Sequence, residues 1–91
     1  MKDTKDRWYK FIEHCLKFKT QAELELFFDV VFTASEKVEF GNRLAIMKDL
    51  LQNQKTQREI AGDLEVSIAN ISRGSNVIKN SDVDLKIALK I

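Results

Sequence analysis

No proline occurs anywhere in these 91 residues, and only three glycines interrupt the chain. Proline and glycine are the residues that stop helices and shape tight turns. A chain this poor in both cannot easily build the turns of a β-protein, so long helices are expected. Length adds a second constraint. Small chains bury a modest share of their surface, and many are held by disulfides, a metal or a second subunit. Cys15 is the single cysteine and His14 the single histidine, which leaves neither an internal disulfide nor a complete zinc ligand set. What remains is a good helical core or a partner chain.

No apolar run approaches the ~18 residues that span a membrane. The start, MKDTKDRWYK, lacks the apolar core of a signal peptide. A soluble, cytoplasmic protein is expected, with no membrane partner. The net charge of +1 hides an uneven distribution. Residues 1–20 carry six basic and three acidic groups, 21–52 three basic and six acidic, and 53–91 six basic and five acidic. Nucleic-acid binding usually shows a basic surface. Here any basic patch has to be created by folding, by a dimer or by a ligand.

Trp8, Phe11, Ile12, Cys15 and Phe18 recur at helical spacing and predict an amphipathic helix over about 6–19. Leu24 to Phe32 is dense in apolar residues and reads as a buried helix, with a short strand as the other option. Thr33-Ala34-Ser35-Glu36 is a capping box that opens the longest helix, 34–52. Phe40, Leu44, Met47 and Leu51 form its stripe, widened by Val38, Ala45 and Leu50, which suggests packing on two sides. Thr56-Gln57-Arg58-Glu59 is a second capping box, for a helix to Leu64. Ser67 caps the next, and Ser81 is expected to cap the last.

Residues 57–76, QREIAGDLEVSIANISRGSN, have the pattern of a helix-turn-helix. Ile60, Leu64, Val66 and Ile71 are the positions two such helices bury against each other, and Ala61 stands at their close crossing. The turn usually carries glycine, but here Glu65 fills that place. A left-handed non-glycine residue costs roughly 1 kcal/mol or more. Ile68, Ala69, Ser72, Arg73 and Asn76 face outward on the second helix. That face is mostly small or polar and suits a major groove about 12 Å wide. Gln57 and Arg58 open the first helix, where free amides also point at anions. An ordinary helical hairpin with a solvated face is the competing reading.

The run Ile71-Ser72-Arg73-Gly74-Ser75-Asn76 poses a separate question. Either Gly74 ends the helix as a C-cap, or something lies close against the backbone there.

The stretches TQREIAGDLEVSIANISRGSN and FTASEKVEFGNRLAIMKDLL closely resemble the bacterial tryptophan repressor family. That resemblance implies an all-α fold of about six helices, assembled as an intertwined homodimer. Residues 1–52 would form the dimerisation core, 56–78 the reading head and 81–91 a C-terminal helix. Two reading helices would bind a palindromic operator of tryptophan biosynthesis or salvage genes, with L-tryptophan as corepressor. Arg43 and Arg73 match the arginines that enclose the indole, and Thr33 matches a polar contact near the ligand carboxylate. Val30 and Phe32 match positions whose carbonyls receive the ammonium group. Gly74 would face inward and leave room for the ring, with Val77 beside it where the family commonly has serine. The DNA-facing set is Gln57, Arg58, Ala61, Ile68, Ala69, Asn70, Ser72 and Lys79. A ligand-independent helix-turn-helix regulator of the insertion-element type is the alternative, and a helical protein-interaction module is a second. An enzyme is not expected, because no nucleophile, base and orienting acid form a set. Cys15 reads as core.

Overall fold

The structure, a computed structural model, describes residues 3–91, which form six α-helices and no strand. They are α1 (Thr4–Cys15), α2 (Gln21–Val31), α3 (Ala34–Gln52), α4 (Gln57–Leu64), α5 (Ile68–Asn80) and α6 (Leu85–Leu89). The chain divides into two compact units, Met1–Ala34 and Ser35–Ile91.

In the first unit both helices start earlier than their apolar periodicity suggests, because polar caps precede the apolar stripes. Asp3 caps α1, its carboxylate accepting from the Lys5 amide at 2.9 Å. Thr20 caps α2 through the Glu23 amide at 3.2 Å. The helices meet through aromatic rings. Phe11, stacked on Trp8 of its own helix at 5.6 Å, lies 5.8 Å from Phe27 of α2 and 5.7 Å from Phe32, the C-cap of α2, centroid to centroid. His14 packs on Phe27 at 4.8 Å. The expectation of a buried α2 needs correction. No residue of α1 or α2 is fully buried; Leu16 is 79% and Val30 84% exposed. Cys15 is only partly buried. Two short helices alone have too little surface to cover both faces of either one.

The second unit is built on three isoleucines. Ile46 of α3, Ile60 of α4 and Ile71 of α5 are buried together, with Leu50, Ala61, Leu64 and Val66 packed around them. Fully burying one such side chain is worth about 1.5–3 kcal/mol, so three set the arrangement of these helices. The bounds of α3 match the capping-box reading. Its buried residue is Ile46, outside the expected stripe, while Phe40 and Leu44 remain 42% and 44% exposed. The stripe and the buried contact therefore lie on different sides of one helix, consistent with an α3 that offers two apolar faces.

The helix-turn-helix forms as its caps require. Thr56 Oγ accepts from the Glu59 amide at 3.1 Å, and the Glu59 carboxylate accepts from the Thr56 amide at 3.0 Å. Glu65 ends α4 in the left-handed region, φ 55° and ψ 46°. That geometry lets the Val66 amide donate to Ala61 O at 3.0 Å and closes the turn. Ser67 then caps α5 by accepting from the Asn70 amide at 3.2 Å. A Lys55 ammonium bridges Asp63 of α4 at 3.0 Å and Asp49 of α3 at 3.9 Å. The hydrogen bond to Asp63, and then the charge of Asp49, raise its pKa above the usual 10.5.

The last helix is shorter than expected and is capped by a different residue. Asp84 Oδ1 accepts from the amides of Lys86 and Ile87 at 3.0 and 3.3 Å. Ser81 instead closes α5, its hydroxyl taking the Val83 amide at 3.3 Å. A carboxylate reaching two amides outcompetes a hydroxyl reaching one, so the helix begins after residue 84.

Glu65 is strained in its left-handed conformation by ~1–2 kcal/mol, and glycine there would add ~0.5–1 kcal/mol of unfolded-chain entropy. Glu65→Gly should therefore stabilise the protein by a few tenths to about 1 kcal/mol. Urea titration measures this, and a loss of stability would mean that Glu65 makes a contact worth more than its strain.

Candidate functional site

Helix α5 does not end at Gly74; it runs through to Asn80. Gly74 is buried, and its backbone faces α3. A β-carbon placed there would lie 3.0 Å from Ile46 Cγ2, 3.1 Å from Leu50 Cδ1 and 3.5 Å from Met47 Sδ. A glycine thus suits the closeness of α5 to these α3 side chains, and any larger residue makes them shift. The atoms nearest the glycine are α3 side chains, and Gly74 also borders the open space next to them.

Room exists beside the crossing. A cavity of about 410 Å³ lies within the second unit. Helix α3 supplies Glu39, Asn42, Arg43, Ile46 and Met47 to its wall. Helix α5 supplies Asn70, Arg73, Gly74 and Val77. Helix α6 adds the apolar Leu85, Ala88 and Leu89. The volume falls in the ordinary range for small-molecule sites, and a mostly apolar wall with a few polar groups is their usual chemistry. The structure brings Arg43 and Arg73 to this one cavity from different helices. Arg43 is poised by its own helix, with its guanidinium carbon 5.9 Å from the Phe40 ring centroid and Nη2 3.9 Å from the Glu39 carboxylate. Guanidinium planes stack on aromatic faces, so two of them beside an apolar slot suit a flat ring.

The remaining expected ligand residues belong to the first unit. Val30 lies in the last turn of α2, Phe32 is its C-cap, and Thr33 joins α2 to α3.

On the other side of α5 runs a shallow open groove lined by Ala69, Ser72, Arg73, Asn76, Val77 and Asn80. Ile68, Ala69, Ser72 and Lys79 are all exposed, as are Gln57 and Arg58 in the first turn of α4. One of the expected DNA-facing residues stands elsewhere. Ala61 packs on the isoleucine core, as its place at the helix crossing requires. Asn70 is exposed but borders the cavity. Arg73 and Val77, one turn apart, border both the cavity and the outer groove.

Sequence reasoning missed Glu39, Asn42, Ile46 and the α6 wall. The spacing of Leu85, Ala88 and Leu89 is a helical stripe, legible once the helix is started at Asp84. Among the described residues no group of His, Cys, Asp and Glu could hold a metal ion, and no helix is long and apolar enough to cross a membrane.

A family model described as Trp repressor protein matches residues 6–91. A Trp operon repressor homolog of Chlamydia caviae is 43% identical over 83 residues, covering 91% of this chain and 82% of that protein. One from Chlamydia trachomatis serovar L2 is 38% identical over 79 residues, covering 87% and 84%. Another, from Actinobacillus succinogenes, is 37% identical over 79 residues, covering 87% and 78%.

The close crossing makes Gly74 sensitive to volume. Gly74→Leu should destabilise the protein by about 1–3 kcal/mol through overpacking. Gly74→Ala should cost less than about 1 kcal/mol, since the gain in helix propensity offsets small shifts of Ile46 and Leu50. Thermal unfolding of the two variants checks the order, and equal stability of Gly74→Leu and the parent would contradict the crossing.

Proposed function

The chain belongs to the Trp repressor family, a family of regulators and not of enzymes, and on that premise we propose that it is a transcriptional repressor that binds operator DNA as a homodimer when L-tryptophan occupies the α3–α5–α6 cavity. The observation that carries this reading is the joint placement of Arg43 and Arg73 on a mostly apolar cavity whose α5 wall is also the outer helix of the helix-turn-helix.

The energetics favour a ligand held by more than its ring. Burying an indole of ~200 Å² at ~25 cal/mol per Å² contributes about 5 kcal/mol before association costs. Micromolar affinity needs about 8 kcal/mol. The difference has to come from the arginines and from groups that meet the carboxylate and ammonium. Thr33, Val30 and Phe32 are proposed for the latter by their match to the family. Val77 offers an apolar surface where the family commonly has serine, so a hydroxyl contact is traded for ring contact.

The DNA contacts are assigned to α5 and the start of α4. Gln57 and Arg58 stand where helix amides attract phosphate, and Lys79 extends the positive edge. Ile68, Ala69 and Ser72 present the small face that enters a major groove. The dimer is supported by the many large apolar side chains left on the surface of one copy, Trp8 and Val38 among them. Exposed apolar area of this extent on a small chain calls for a partner.

Sedimentation equilibrium should give twice the monomer mass of 10.5 kDa. Gel shifts on a palindromic operator should tighten by roughly 5- to 150-fold when tryptophan is added, and Arg73→Ala should weaken both tryptophan and operator binding. Equal operator affinity with and without tryptophan would overturn the ligand-dependent reading and favour a ligand-independent regulator. The operator complex should also weaken steeply as salt is raised.

A further inference from the structure

The cavity carries a third charge beside its two arginines. Glu39, on the second turn of α3, borders it. Its Oε2 lies 3.9 Å from Nη2 of Arg43, one helical turn further on. The other polar side chains of the wall, Asn42 and Asn70, are neutral. We propose that Glu39 is a specificity-determining residue that makes this cavity select an aromatic amino acid, with both ammonium and carboxylate, over the aromatic acid that lacks the amine. The proposal rests on the reading of the cavity as a tryptophan site and names what that site rejects.

The reason is charge matching. Two arginines and one glutamate line the same space. A zwitterion brings a carboxylate that the arginines attract and an ammonium to which Glu39 adds a charge attraction beyond the carbonyl contacts proposed above. A monoanion with the same ring keeps the first attraction, loses the second and sets its carboxylate against that of Glu39. An amine without a carboxylate keeps only Glu39 and meets two cations. The present partner of Glu39 does not bind it tightly. The pair is at the long edge of ion-pair distance, with both side chains more than half exposed, and such pairs are weak in water. A ligand that expels water from the cavity strengthens every charge interaction left inside. Glu39 then gains more from an ammonium within the cavity than it loses in releasing Arg43.

A plain helix-surface role makes a different prediction. A glutamate four residues before an arginine stabilises a helix slightly, and that function has no bearing on ligand choice. Calorimetric titration of the intact protein with L-tryptophan and with indole-3-propionate separates the two. The parent should prefer tryptophan by about tenfold, equivalent to about 1.4 kcal/mol. Glu39→Gln should cut that preference to about threefold or less, weakening tryptophan and tightening the acid. Glu39→Lys should reverse it. A fold defect would weaken both ligands together, so the ratio is its own control. Binding of both ligands with the ratio unchanged in Glu39→Gln overturns the role of Glu39 alone. Failure of the parent to bind either ligand overturns the tryptophan reading and this proposal with it.

Discussion

Helices α3 and α5 cross so closely at Gly74 that a single added carbon would stand 3.0 Å from Ile46. Helix separations depend on the side chains at the contact, and a glycine there permits a near approach. Ile71, one turn before Gly74, is buried in the same cluster as Ile46. Two successive turns of α5 are therefore seated on α3. Sliding or tilting α5 would open a void at Ile46 or drive Leu50 into the backbone, and close-packed interiors tolerate neither cheaply. The cavity lies beside this fixed crossing and inherits its walls from it.

The position of α4 follows from a chain of local decisions. Its start is set by the reciprocal Thr56–Glu59 bonds and its end by the left-handed Glu65. Ile60 then enters the core opposite Ile46 and Ile71. The Lys55 bridge to Asp49 and Asp63 runs between α3 and α4. It is solvent-exposed and screened by salt, so it trims an angle that the isoleucines have already chosen. Its contribution is present below pH 10.5 and is lost as pH rises through the raised folded value, since deprotonation removes the charge that both aspartates hold.

What could be read from the residues alone follows this division between local and distant causes. The Thr56 box, the bounds of α3, the Glu65 turn and the pairing of Ile60 with Ile71 are settled within a few positions of each other, and each was legible. The cap of α6 was misread because Ser81 and Asp84 are both good caps. Their ranking turned on how many amides each oxygen reached. Ile46 escaped notice since periodicity marks an apolar stripe without saying which neighbour it meets. Glu39 belongs to no motif that marks it in the sequence, and only α5 and α6 place a cavity beside it. Gly74 shows the limit most clearly. Its inward direction was readable from helical phase, but which side chains would lie against it was decided by α3, about thirty residues away in sequence.

Arg73 and Val77 form a ridge on α5 with the cavity on one side and the outer groove on the other. Gly74 lies between them in sequence and pins the backbone. In the proposed mechanism this restricts how a bound ligand can act. With α5 seated at its crossing, occupancy of the cavity cannot work by sliding that helix along α3. It has to act through the side chains of the ridge, or by biasing the α3–α4–α5 assembly as one piece. A ligand shifts an equilibrium only by binding one state better than the other. An Arg73 held against a ring has already lost the rotamer freedom that a DNA contact would otherwise cost. In the proposed mechanism one residue would thus supply a difference in affinity between the occupied and empty states without any movement of the backbone. In that proposal the wall shared by the cavity and the outer groove is sufficient for coupling, and the packing at Gly74 would direct the effect of a bound ligand to the outer face of α5.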